Sequence, residues 1–334
     1  MPQVKVKSIA GPANFHYTIS TPKNPSAKSI DKTLPTVIFI HPVYIASELF
    51  QLQFADPSLR RFNLVALDLR SHGKTSGKVL PGYGRDEAAA DVVKFMEALH
   101  LPASHFVGVS MGSCISLQVA ISYPRMVQSI TMVSPLPLTE PADVATGREE
   151  ILDCWVEAFR GGKVDDIALH DALCGALQLG FNNQQTSLID ALIAHTLPHA
   201  LQNWGAKNLD EFHIVTLDFF TKRTAQTPDA VRKITCPVKL LHCGADIAYG
   251  VEYAEEVLKL LQENGVDVRL VQIPGAIHFG NVSNPKEINA EIHESVIRCS
   301  PGMTIPPAQA SVVSPFSAAL IKAGYNNDED SDSD

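Results

Sequence analysis

Six short apolar runs, each stopped by proline, glycine or a polar turn, set the strongest limit on what this chain can fold into. They are TVIFIHP (36–42), NLVALDL (63–69), HFVGVS (105–110), SITMVSP (129–135), VKLLHCG (238–244) and VRLVQIP (268–274). Runs this continuous in Val, Ile and Leu predict strands buried on both faces, as in a parallel sheet. DEAAADVVKFMEALHL (86–101), MGSCISLQVAISY (111–123), VEYAEEVLKLLQEN (251–264) and PKEINAEIHESVIR (285–298) have helical periodicity instead. Alternation of the two predicts an α/β fold, a mostly parallel sheet with helices on both faces. VKVKSI and ANFHYTIS near the start read as an antiparallel hairpin leading into it.

The alternation stops between Pro137 and Ile234. That stretch has no convincing strand, but four amphipathic segments: REEILDCWVEAF, DIALHDALCGALQL, TSLIDALIAH and LDEFHIVTLDFFTK. It is several times too long for one crossover helix, so an all-helical insertion is expected. The expected division is a core of residues 1–136 and 235–300, an inserted cap at 137–234, and a C-terminal extension at 301–334. The Pro- and Ser-rich start of that extension is expected outside the core. Its last eight residues, NDEDSDSD, read as a disordered acidic tail, with a docking or phosphorylation segment around Ser331 and Ser333 as the alternative.

The formal net charge is -9, and five of the acidic groups lie in that tail. No basic face points to nucleic acid or an anionic membrane. No apolar run reaches the roughly 20 residues of a membrane helix, and no secretory signal precedes the first strand. The six cysteines are scattered without Cys-x-x-Cys or metal-ligand spacing, so buried free thiols in a reducing, cytoplasmic setting are expected. Neither a metal nor an organic cofactor is implied, and the oligomeric state is left open.

Gly108-Val109-Ser110-Met111-Gly112 joins a predicted strand to a predicted helix. A serine at such a corner is lifted out of it, and the two glycines supply room for strand and helix to meet. The same corner puts the Met111 N–H at a helix start, where an orphan donor and the helix dipole favour an anion. A presented hydroxyl beside an oxyanion donor is what acyl transfer requires. A serine needs a base, and the base an orienting acid. Strand 238–244 leads to Gly244-Ala245-Asp246, and strand 268–274 to Gly275-Ala276-Ile277-His278. Asp246 and His278 therefore reach the sheet edge that carries Ser110. Glu140, after the preceding strand, is a rival acid ranked below Asp246. The loop His41-Pro42-Val43-Tyr44 should cross near the serine; proline has no N–H, so Val43 is the candidate second oxyanion donor. Asp68, Arg70 and His72 cluster around a glycine turn and read as loop-fixing residues.

Gly108-Val109-Ser110-Met111-Gly112, Asp68-x-Arg70-x-His72-Gly73, Gly244-x-Asp246 and His278-Phe279 together resemble the α/β-hydrolase superfamily. The likeness spans about residues 30 to 298 and is nearest in style to the esterase, enol-lactonase and perhydrolase branch. It implies Ser110 as nucleophile, His278 as base, Asp246 as acid, and Met111 and Val43 as oxyanion donors. Two departures stand out: His41-Pro42 replaces the usual His-Gly, and Ser113 replaces a glycine after the elbow. The expected activity is serine-dependent cleavage of a small, largely apolar ester or lactone, silenced when acid protonates His278. Thioester hydrolysis, acyl transfer or carbon–carbon cleavage would use the same residues. A slow or non-catalytic ligand receptor is the reading from a different class; the intact Ser, Asp and His set argues against it.

Overall fold

The computed structural model describes residues 2–326. Its eight strands form one sheet in the order β1-β2-β4-β3-β5-β6-β7-β8. They are β1 (Gln3–Ser8), β2 (Gly11–Ser20), β3 (Thr36–Ile40), β4 (Asn63–Leu67), β5 (Ser104–Val109), β6 (Val127–Val133), β7 (Val238–Cys243) and β8 (Val268–Ile273). β1 and β2 pair antiparallel, β2 lies antiparallel to β4, and every pairing from β4 to β8 is parallel. The six apolar runs and the opening hairpin are thus all present. β3, β4, β5 and β7 are buried at every residue. β8, at the sheet edge, is exposed at Arg269 and Gln272, because no strand covers its far side.

Apolar side chains pack on both faces. Phe15, Phe95 and Phe106 belong to one layer, and Phe39, Phe54 and Ile292 to the other. Local sequence signals set the helix limits. Glu87 accepts from the Gly84 N–H at the start of helix Arg85–Ala98, and helix Val251–Glu263 buries the spaced Ala254, Val257 and Leu261. Gly265, at φ +82°, ends that turn in a conformation that suits glycine.

Between β6 and β7 the chain is helical: Ala142–Ala158, Asp166–Phe181, Ser187–Asn203, and Leu209–His213 continued through a π-helical turn, Ile214–Asp218. Asp165 caps the second of these by accepting from the Ile167 and Ala168 N–H groups. Thr186 caps the third. An inserted all-helical segment is therefore present on an α/β sheet.

The Pro- and Ser-rich residues 301–313 lie outside the core as expected, but the segment then departs from expectation. Residues 314–325 dock on the core: Phe316, Leu320 and Tyr325 are buried, and the Phe316 ring meets Phe54 edge-on at 5.0 Å. Arg60 donates to the Val313 carbonyl and Gln51 to Ser317. Apolar anchors among the prolines and serines supply the burial that the composition hid. The acidic tail at 327–334 lies outside the described residues. All six cysteines are unpaired, but only Cys114, Cys236 and Cys243 are buried; Cys174 is exposed on the inserted helices, contrary to expectation. Among the described residues no helix is long and apolar enough to cross a membrane.

Candidate active site

Ser110 sits at the C-terminal end of β5 with φ 52° and ψ -113°, a strained conformation for a residue with a side chain. The flanking glycines are a steric necessity. A Cβ at Gly108 would overlap the Gly112 carbonyl, and one at Gly112 would overlap the Ile40 carbonyl at the end of β3. The corner can close only without those atoms, so helix Met111–Ser122 starts against the end of β3. Ser113 Oγ donates back to the Ser110 carbonyl at 2.6 Å, an anchor a glycine could not supply.

His278 Nε2 lies 2.9 Å from Ser110 Oγ, and its Nδ1 lies 2.6 Å from Asp246 Oδ2. A carboxylate can only accept, so Nδ1 carries the proton and Nε2 accepts from the serine hydroxyl. Asp246 Oδ1 accepts from the Ala248 and Tyr249 N–H groups at 2.9 and 3.1 Å, which fixes the carboxylate. All three side chains are nearly fully buried. The structure thus brings together the three residues expected on this edge.

Glu140 is committed elsewhere. It pairs with Arg148 at 2.7 Å and Arg223 at 3.1 Å, and accepts from the Tyr249 hydroxyl at 2.8 Å. This buried hub joins the loop after β6, two inserted helical segments and the loop after β7. The Arg148 guanidinium also lies 3.5 Å from the centre of the Phe220 ring. Burial pushes the Tyr249 hydroxyl well above the usual tyrosine range, so it stays a donor.

His41 shapes the loop after β3. Its Nε2 accepts from the Leu69 N–H at 2.8 Å, and its Nδ1 meets the Pro42 carbonyl at 2.6 Å. Burial lowers its pKa and keeps it neutral. Among the described residues the Val43 N–H has no hydrogen-bond acceptor, and the Met111 N–H opens a helix, where no intrahelical acceptor exists. Asp68 and Arg70 fix loops, as expected, while among the described residues His72 hydrogen-bonds only with the Arg70 carbonyl, at 3.0 Å, and its Nε2 has no partner. Asp68 accepts from Ser47 and the Lys74 N–H, while Arg70 is held bidentately by Asp91.

Two contributors were invisible in the sequence. Ser134, at φ 48° just beyond β6, donates to the His278 carbonyl at 2.5 Å. The inserted helices also touch the loops that carry Asp246 and His278: Asn182 donates to the Ala245 carbonyl, and the Phe279 N–H to the Gly180 carbonyl. Under these helices lies a cavity of about 70 Å³, lined by Tyr44, Trp155, Thr196, Trp204, Phe212 and Phe279 among others. No charged side chain lines it. Among the described residues no three His, Cys, Asp or Glu side chains gather as a metal site.

A strained serine on a parallel sheet, hydrogen-bonded to a histidine that a carboxylate holds in turn, both from later strand ends, defines a class of protein. Residues 35–229 match the sequence model of the α/β hydrolase fold, and the chain belongs to that family. The acetoin-cleaving acetyltransferase component of Cupriavidus necator is 38% identical over 103 residues, 30% of this chain and 26% of that protein. The chain spans about a fifth to two fifths of the length of the curated relatives it matches. An esterase from Thermogutta terrifontis superposes with a TM-score of 0.64 at 16% identity, covering 90% of this chain and 99% of that one. The enol-lactonase from Burkholderia xenovorans superposes with a TM-score of 0.60 at 15% identity, covering 88% of this chain and 100% of that one. These structural likenesses concern the fold.

Proposed function

We propose that the chain hydrolyses small, largely apolar carboxylic esters or lactones through an acyl-enzyme on Ser110. The observation that carries this reading is the continuous hydrogen-bond path from Ser110 Oγ through His278 to Asp246, at 2.9 and 2.6 Å. His278 Nε2 takes the hydroxyl proton as Oγ attacks the carbonyl carbon. The Met111 and Val43 N–H groups hold the resulting oxyanion, and His278 returns the proton to the departing alkoxide. Water then attacks the acyl group with His278 again as base. Asp246 keeps the imidazole in the tautomer the first step needs. Residues 137–234 act as a cap that excludes water and shapes the site, over a core of 1–136 and 235–300. The unpaired cysteines support a reducing, cytoplasmic setting.

The likeness to an acetyltransferase component favours one second reading: transfer of the acyl group to an acceptor other than water. Intact-mass analysis after a fluorophosphonate probe tests the shared step. One adduct is expected on the wild type, and none or a greatly slowed one on Ser110→Ala and His278→Ala. An unlabelled but folded wild type would overturn both readings and bring a ligand-receptor role forward. Product analysis on an ester and lactone panel, with and without added alcohol, then separates hydrolysis from transfer.

A further inference from the structure

Two hydroxyls in the wall of the cavity beneath the inserted helices are buried without a hydrogen-bond partner among the described residues, those of Tyr44 and Thr196. Thr196 is 8% exposed, and its Oγ1 is buried with no hydrogen-bond partner. It lies on the cavity-facing stripe of helix Ser187–Asn203, with Ile193, Leu197 and Ala200 at helical spacing on the same face. The two indole N–H groups of the wall are engaged. Trp155 Nε1 donates to the Trp204 carbonyl, and Trp204 Nε1 donates to Ser71 Oγ. The Tyr44 hydroxyl lies in the field of Arg148, with burial raising its pKa.

A buried hydroxyl without a partner is costly, and threonine ordinarily relieves this by bonding its own helix carbonyl. A hydroxyl left open toward a cavity is instead satisfied by what fills the cavity. At about 70 Å³, the space is roughly half the ~150 Å³ apolar cavity that takes benzene, so it suits a chain of about three or four heavy atoms. Tyr44-Ile45 and Phe279 in its wall directly follow Val43 and His278 in sequence, so the cavity adjoins the loops that carry the second oxyanion donor and the base of the proposed mechanism. The leaving alcohol must depart before water enters, so this space under the inserted helices fits the portion that stays on the serine.

We infer that this cavity holds a short, uncharged acyl group carrying an oxygen substituent, and that this oxygen accepts a hydrogen bond from Thr196 Oγ1. The inference rests on the acyl-enzyme reading above and names the substrate class of that site: esters or lactones of short alkoxy-, hydroxy- or oxo-acids.

The test uses near-isosteric pairs on the full chain. 4-Nitrophenyl methoxyacetate is compared with 4-nitrophenyl butyrate, and the 3-hydroxybutyrate ester with the 3-methylbutyrate. Intrinsic reactivity cancels when the kcat/KM ratio within each pair is compared between wild type and Thr196→Val, which keeps the side-chain shape. In at least one pair the ratio should fall about tenfold in Thr196→Val, the scale of one neutral hydrogen bond. Thr196→Ser should restore it. Ratios unchanged in both pairs overturn the inference while leaving the hydrolase reading intact. If no ester is cleaved, the Ser110 reading fails, and the pocket is read separately by thermal stabilisation with methoxyacetamide and butyramide. Stronger stabilisation by the methoxy compound, lost in Thr196→Val, supports oxygen recognition; equal stabilisation overturns it.

Discussion

Ser110 and Ser134 stand at the C-terminal ends of neighbouring strands, both with left-handed backbone, and both bond to His278. One meets the ring and the other the main-chain carbonyl. Ser110 leads into a helix start and a glycine that lets strand and helix close, and its hydroxyl meets the His278 ring. Ser134 leads into Pro135 and the inserted helices, and its hydroxyl is spent on holding the histidine loop. Backbone strain at a strand end does not by itself make a nucleophile. The helix start and the glycine next to Ser110 set it apart as the proposed nucleophile.

That contrast can be broken most sharply at Ser110. Ser110→Ala should lower kcat by about 10⁴-fold or more on a cleaved ester, with thermal stability kept or raised. Unchanged turnover would leave the two serines chemically equivalent. Gly112→Ala comes next, because its Cβ must push β3 away from the helix start. It should destabilise by about 1–3 kcal/mol in chemical denaturation and remove probe labelling, whereas Ser134 has no such glycine after it.

Acid should act on both strands alike. His105 of β5 bonds Ser129 Oγ of β6 at 2.8 Å, and burial holds its pKa down at about 4. An unfolded histidine takes up its proton nearer 6.5, so the unfolded chain binds more protons between those values. Stability from this group is complete above about pH 6.5 and lost as pH falls toward 4. The loss is about 2 kcal/mol by pH 5. Urea midpoints for wild type and His105→Gln across that range check it; parallel curves would remove the assignment. The smallest effect belongs to Ser134→Ala, where one hydrogen bond worth about 1 kcal/mol is lost. A kcat drop of about tenfold or less with labelling retained would keep Ser134 in a positioning role, and a loss as large as that of Ser110→Ala would erase the distinction.

Much of the fold and the site was legible in the sequence. The strands of a parallel sheet are buried on both faces, so their sequences stand out as unbroken apolar runs. The residues just beyond them fall on one edge, which is why Ser110, Asp246 and His278 could be named. The Glu140 hub could not be read, since its partners Arg148, Arg223 and Tyr249 lie 8, 83 and 109 residues along the chain. Their meeting depends on how the inserted helices fold back. Thr196 was equally silent, because a hydroxyl on a helix looks the same whether it faces solvent, carbonyl or cavity. Residues 314–325 misled because Phe316, Leu320 and Tyr325 are sparse anchors in a segment whose average composition is that of a linker.

Those anchors bear on how the molecule is made. Arg60 finds its Val313 partner across 253 residues, and Gln51 its Ser317 partner across 266. During synthesis the first strands and the helix beside them emerge long before that latch exists. The nascent chain must wait with one flank of its sheet uncovered, and with the far end of helix Ser187–Asn203 not yet tied at Ser187 to Asn326. Assembly at this latch closes late: residues 313 and 317 secure side chains made 253 and 266 residues earlier. Proteolysis of stalled nascent chains of increasing length should therefore show a step in protection only once residue 325 has cleared the ribosome.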